Sequence, residues 1–205
     1  MMKRVLLMIV AVAMLNPMAH AGDKNKNAAA KKTETEATED NKEIHWLTWD
    51  EAQVKMKHMP KKVWVDVYTD WCGWCKRMDA TTFKNPELIK YMNENYYAIK
   101  FNAEKDDNIR FLGKVYKLEP QNRGTSQLAV DLMKGQLSYP TGIFMEEGFQ
   151  NPQPVPGYHP VPEMEMILKY LGGNIYKSQK FDEYQKSFTP VWKDNTPAPA
   201  MQGAH

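Results

Sequence analysis

Cysteine is scarce in this 205-residue chain: there are two, Cys72 and Cys75. A secreted domain stapled by disulfides spaces its cysteines widely, because closing a long loop removes more entropy from the unfolded chain. A pair separated by two residues staples almost nothing, so these thiols are present for chemistry. No second Cys-x-x-Cys occurs, and His45, His58 and His159 are scattered, which leaves a structural zinc site without its four ligands. Lys76 follows Cys75 where a c-type haem attachment sequence requires histidine. Charge of one sign is lacking too. The balance of 27 Lys and Arg against 25 Asp and Glu gives no reason for nucleic acid or an anionic membrane to coat the surface. No apolar run reaches the roughly 20 residues that span a bilayer; residues 5–15 form an unbroken run of only eleven.

That short run is informative for another reason. Lys3 and Arg4 precede it, Asn16-Pro17 break it, and Ala19-His20-Ala21 puts small residues at the two positions a signal peptidase inspects. This is the layout of a cleaved secretory signal over residues 1–21, and the expected location is the periplasm or the cell exterior. Cleavage after Ala21 leaves 184 residues; only Lys3 and Arg4 are lost, so 25 basic residues then face 25 acidic ones. No cysteine lies near the cleavage point, which argues against a lipid anchor. Residues 22–42 contain no aromatic or large aliphatic side chain. Such a segment buries too little to offset the entropy of ordering and reads as a flexible tether.

Apolar residues arrive abruptly at Ile44. Residues 49–59 read as a helix capped by Thr48, with Ala52 and Met56 or Met59 inward. Residues 63–68 are a β-branched apolar run of the kind a strand buried on both faces shows. Residues 73–83 form a helix directly after Cys72, and Asn85-Pro86 has the cap and first turn of another, to about residue 93. Residues 96–102 alternate as a strand. Residues 108–119 are open to two readings, a helical stripe of Ile109, Leu112 and Val115 or a β-hairpin; a mid-segment glycine favours the hairpin, turning at Gly113-Lys114. That register pairs Leu112 with Val115, Phe111 with Tyr116 and Ile109 with Leu118. A helix over 126–134, strands at 139–145 and 149–156, and a last helix over 162–171 complete the pattern. Residues 174–205 add an aromatic cluster (Tyr176, Phe181, Tyr184, Phe188, Trp192) and a Pro/Ala tail that reads as loose. Met133, Met145 and Met166 sit where a core uses them, so the fourteen methionines read as filling rather than copper ligands.

The chemical centre is Trp71-Cys72-Gly73-Trp74-Cys75-Lys76, after a buried strand and opening a helix. Unpaired N–H groups and the dipole at a helix start favour negative charge, so the first cysteine becomes thiolate-rich. The second lies within disulfide reach and can release a mixed disulfide. Gly73 leaves the first turn open to an incoming chain. Asp66 has apolar neighbours on both sides, which points to burial.

Strand, tryptophan, Cys-x-x-Cys and lysine in this order resemble the thioredoxin superfamily over residues 44–173. Exported proteins with a Trp-Cys-Gly-Trp-Cys-Lys motif are most similar, as is the electron-carrying thiol domain of DsbD. The resemblance implies an α/β thioredoxin fold, a mixed central sheet flanked by helices, over residues 43–173. It also implies that Asp66 takes a proton from the second cysteine, that Lys100 pairs with Asp66, and that Tyr139-Pro140-Thr141 is a cis-proline loop facing the cysteines. Gly157 resembles another glycine of the substrate-facing surface. Trp71 and Trp74 then serve partly as packing and partly as contact surface. The chain departs from the pattern at Gly73-Trp74, where thioredoxin has Gly-Pro, and in about twenty extra residues, 103–124. The expected activity is thiol–disulfide exchange through Cys72 and Cys75, as reductant or electron relay, with no diffusible cofactor and no metal. Partners are proteins carrying disulfides or thiols, and a reductant outside the cytoplasm implies a membrane electron donor. The rival readings are a disulfide oxidant or isomerase, and a redox-inert binding module on the same fold.

Overall fold

The computed structural model describes residues 42–194; the expected signal, nearly all of the tether and the Pro/Ala tail lie outside the described residues. Five strands make the central sheet: β1 (Trp46–Leu47), β2 (Lys62–Tyr68), β3 (Tyr96–Asn102), β8 (Thr141–Glu146) and β9 (Gln150–Pro156), in the order β1-β3-β2-β8-β9. β1, β3 and β2 run parallel, while β8 is antiparallel to β2 and β9 antiparallel to β8. This is the thioredoxin fold, a mixed sheet flanked by helices on both faces. No helix among the described residues is long and apolar enough to cross a membrane.

β2 decides the layering. Successive strand side chains point to opposite faces, so Val63, Val65 and Val67 join one core, with Trp49, Ala52, Met56, Phe101 and Leu128. These come partly from helix α1 (Trp49–His58) and helix α4 (Gln127–Leu132). Trp64 joins the other core, with Met78, Phe83, Leu88, Met92 and Leu168, on the side of helices α2 (Gly73–Ala80), α3 (Pro86–Asn95) and α5 (Val161–Gly172). Asp66, two residues after Trp64, shares its face.

Helix α1 begins at a capping box: the Glu51 amide donates to Thr48 Oγ1 at 3.2 Å, and the Thr48 amide donates to Glu51 Oε2 at 2.8 Å. Met56 is buried as expected, but Met59 lies past the helix end and is exposed. Asn85 caps α3 through the Leu88 amide at 3.0 Å, with Pro86 opening the helix.

Residues 103–124 do contain a hairpin, β4 (Ile109–Phe111) with β5 (Lys114–Tyr116), but its tip is Leu112-Gly113, one residue earlier than expected. Both tip residues have positive φ, 49° and 81°, the geometry of a two-residue turn whose twist matches the strands. Ile109 therefore faces Tyr116, and Leu118 leaves this ladder. It pairs with Ser126 instead, where β6 (Leu118–Glu119) meets β7 (Thr125–Ser126). Tertiary contacts select this register. Phe111 lies against Trp49 and Phe149, with ring centroids 4.8 and 5.2 Å apart. The Gln53 amide group donates to the Arg110 carbonyl at 2.8 Å and accepts from the Leu112 amide at 2.9 Å.

Beyond α5, helix α6 (Phe181–Ser187) brings the aromatic cluster onto Tyr170, 5.2 Å from both Phe181 and Tyr184. Glu165 of α5 is fully buried and accepts from the Val191 and Trp192 amides at 2.9 and 2.8 Å, fastening this stretch to the domain.

Gly142 pairs with Asp66 across the sheet, and a Cβ there would lie 2.1 Å from Trp64 Cζ2. Trp64 is wholly buried, packed in the core with Met78, Phe83 and Leu88. Gly142→Ala is expected to destabilise the fold by about 1–3 kcal/mol through overpacking, read from the midpoint of urea unfolding. A midpoint equal to the parent's would mean that the indole can move aside.

Candidate redox site

Cys72 is the N-cap of α2: its backbone is extended, and its Sγ accepts from the Cys75 amide at 3.0 Å. Its carbonyl receives the Lys76 amide at 3.2 Å, closing the first turn. Cys72 and Cys75 are joined in a disulfide, with Cα atoms 5.3 Å apart. The first sulfur thus occupies the spot where helix N–H groups and the dipole favour an anion. A Cβ on Gly73 would meet nothing within 4 Å, so the first turn is open above the disulfide.

Placement of Cys72 at the helix start and of Cys75 inside the helix leads one to expect an exposed first sulfur and a buried second one. In the disulfide state both are nearly covered, 4% and 2% exposed; what separates them is position at the helix start, not access. The exposed surface is supplied by Trp71 and Trp74, 67% and 58% exposed. Trp71 meets the edge of Tyr139 at 5.8 Å, and its Nε1 donates to Glu104 Oε2 at 2.7 Å. Trp74 lies on Tyr158 at 5.3 Å, and the Arg77 guanidinium stands over the same ring at 5.8 Å. The tryptophans therefore touch the two loops named from sequence. The Tyr139-Pro140 bond is cis, and the Gly157 amide donates to the Pro140 carbonyl at 2.8 Å. Gly157 has φ +102°, a conformation that residues with a Cβ adopt only at a cost.

Asp66 is buried, and β2–β3 register sets Lys100 directly beside it. Lys100 Nζ donates to Asp66 Oδ2 at 2.6 Å. Burial pushes the Asp66 carboxyl above its ordinary range, against the pull of Lys100. Burial draws Lys100 down, but Asp66 and Asp79 outweigh it and raise the ammonium on balance. The eight candidates Cys72, Cys75, Asp66, Pro140, Lys100, Trp71, Gly73 and Trp74 thus fall into two groups, an outer rim with the disulfide and an inner ion pair under α2.

Sequence reasoning missed Asp79, Glu104 and Tyr158. Asp79 also bonds Lys100; its spacing of four from Cys75 puts both on one helix face, a legible signal. Tyr158 adjoins Gly157. Glu104 has no local signal, since only folding brings residue 104 to residue 71. Trp71 and Glu104 also line a cleft of about 400 Å³ with Asp70, Asn102 and Lys105.

Residues 27–169 match the family model Thioredox_DsbH, described as a protein of unknown function, DUF255. The chain belongs to this family. An uncharacterized protein of Caenorhabditis elegans is 29% identical to this DsbH-family chain over 93 residues, 45% of this chain and 13% of that protein. Mouse spermatogenesis-associated protein 20 is 30% identical over 74 residues, 36% of this chain and 9% of its own length. The chain matches only a small fraction of either relative. Among solved structures, a DsbH oxidoreductase superposes with a TM-score of 0.45 at 14% identity, covering 67% of this chain and 87% of that one. The DsbH-family chain carries a Cys-x-x-Cys disulfide on a thioredoxin fold, an arrangement consistent with thiol–disulfide exchange.

Proposed function

We propose that this protein is a thiol–disulfide oxidoreductase working as a reductant or electron relay toward disulfides in partner proteins. The observation that carries the reading is the disulfide at the start of α2 with Cys72 as its cap. In the reduced protein the Cys72 thiolate attacks a partner disulfide, forming a mixed disulfide and releasing the partner's other sulfur as thiolate. Cys75 then attacks Cys72 Sγ as its proton passes to Asp66; the second partner thiolate leaves, and the Cys72–Cys75 bond forms. Two electrons move from the protein to its partner, and no diffusible cofactor takes part. Lys3, Arg4 and the apolar residues 5–15 support an exported protein, periplasmic or extracellular, recharged there by a membrane electron donor.

Direction follows from what surrounds Cys72. Strong oxidants of this fold hold the attacking thiolate near a pKa of ~3.5, and thioredoxin holds it near ~7. Between the cysteines stand Gly73 and Trp74, neither cationic, while Arg77 is engaged over Tyr158. The helix start is then the main support for the thiolate. A moderate pKa and a potential nearer ~−270 mV than ~−120 mV are expected. Equilibration against glutathione measures it, and a potential above about −180 mV would sink the reductant reading in favour of an oxidant or isomerase. Failure of dithiothreitol to reduce the oxidised protein, and of the reduced protein to act on insulin disulfides, would leave a binding module.

A further inference from the structure

Asp66 poses a problem of proton traffic. A carboxylate that takes a proton at each turnover must lose it again, and the Asp66 side chain is only 3% exposed. Lys100 Nζ joins it to a second acid, donating to Asp66 Oδ2 at 2.6 Å and also to Asp79 Oδ1. Side-chain exposure climbs along this line, from 3% at Asp66 through 22% at Lys100 to 43% at Asp79. The ammonium is held in place by three rings, with Nζ 5.1 Å from the centroid of Trp46, 4.9 Å from Tyr68 and 5.3 Å from Phe83. Cation–π attraction and the two carboxylates together leave it little reason to swing into water. Asp79, one turn after Cys75 on α2, is thus tied to both the resolving cysteine's helix and the buried acid.

Resting on the oxidoreductase reading, we propose that Asp79 is the positioning residue that completes a proton relay, Cys75 to Asp66 to Lys100 to Asp79 to water. The relay balances in charge. Once Asp66 has become a neutral carboxyl, Lys100 gives one ammonium proton to the Asp79 carboxylate while it accepts the Asp66 proton. Asp66 returns to carboxylate, Lys100 remains an ammonium, and the neutral Asp79 carboxyl releases its proton to water. The transfer itself conserves net charge: the two acids and the ammonium are neutral overall while one carboxyl carries the proton, and the net negative charge returns only when the more exposed Asp79 releases that proton to water. The Asp79 charge also helps hold Asp66 above the ordinary carboxylate range, keeping it basic enough to receive a thiol proton. Lys100 also opens on a cleft of about 630 Å³, whose other charged residues are Asp50, Lys105, Asp106, Asp107 and Arg110. They set the background field that a pH profile senses.

The test is turnover of insulin disulfides by the full chain, followed against pH, for Asp79→Asn, Asp79→Glu and Asp79→Ala with and without added formate. Asp79 lies in the last turn of α2 with its side chain 43% exposed, and urea unfolding checks that each variant folds. Asp79→Asn is expected to slow resolution of the mixed disulfide about tenfold near neutral pH. Its pH limit should move downward, because Asp66 no longer feels a second carboxylate. Asp79→Glu, which restores the acid, should stay within about twofold of the parent, and formate should return activity to Asp79→Ala. A purely structural role would not respond to a diffusible carboxylate. A rate and pH profile for Asp79→Asn equal to the parent's, or indifference of Asp79→Ala to formate, would overturn the relay and leave the oxidoreductase reading standing. An inactive parent would overturn both.

Discussion

Cys72→Ser is expected to lose disulfide exchange almost entirely, by on the order of 10³-fold or more, while Cys75→Ser keeps the first attack and accumulates a mixed disulfide. The asymmetry comes from the first turn of α2. Cys72 Sγ sits at the cap, where it accepts the Cys75 amide, and an anion there is stabilised by the helix start. Cys75 lies within the helix, past the cap where an anion is supported, so its role is to attack the sulfur of Cys72 and not that of a partner. The check is non-reducing electrophoresis of each variant with a disulfide-bearing partner, together with alkylation rates of the two thiols below neutral pH. Adducts on Cys72→Ser and none on Cys75→Ser would invert the roles. The same Cys75→Ser trap identifies the natural partner.

Asp66→Asn should act on stability and on turnover in opposite directions. Because burial raises the native pKa of Asp66, the folded protein retains a proton that the unfolded chain has released. The stability linked to this group is fully present below the unfolded value, about pH 4, and is lost as pH climbs through the raised native value. An amide in place of the acid is free of that loss, so at neutral pH the variant should be more stable by about 1–3 kcal/mol. Removing one member of a buried ion pair usually strands the other, but Lys100 keeps Asp79 and is partly exposed. Resolution by Cys75 should meanwhile slow by about tenfold or more, since the proton acceptor is gone. Urea unfolding at several pH values and single-turnover resolution of a Cys72 mixed disulfide measure the two effects. A variant less stable than the parent at neutral pH would mean that the ion pair holds the fold; unchanged resolution would remove Asp66 from the mechanism.

Several parts of this picture are legible in sequence because they rest on short-range physics. The Thr48 to Glu51 box, Asn85-Pro86 and the β-branched run ending at Tyr68 each announce an element within a few residues. The placement of Cys72 and Cys75 across the first turn of a helix is equally local. Lys100 is different. That it lies on the strand after α3 is readable, but its bond to Asp66 depends on the parallel register that sets residue 66 opposite residue 100. The hairpin shows the limit from the other side. Gly113 signals a turn, yet a shift of one residue at the tip changes every cross-strand pair. Packing of Phe111 on Trp49 and the clasp of Gln53 on the backbone decided the shift.

What the residue order alone determined is therefore the set of elements and the pair of cysteines, which depend on periodicity, caps and spacing within one or two turns, while the thioredoxin fold was implied by resemblance to a known family. Only the tertiary structure decided how Cys72 is covered, which loops Trp71 and Trp74 touch, and that Lys100 binds two acids at once. Those contacts join residues far apart in the chain, from 79 with 100 to 74 with 158. Their geometry is set by sheet register and by the packing of α2 over β2 and β3, which no local propensity encodes.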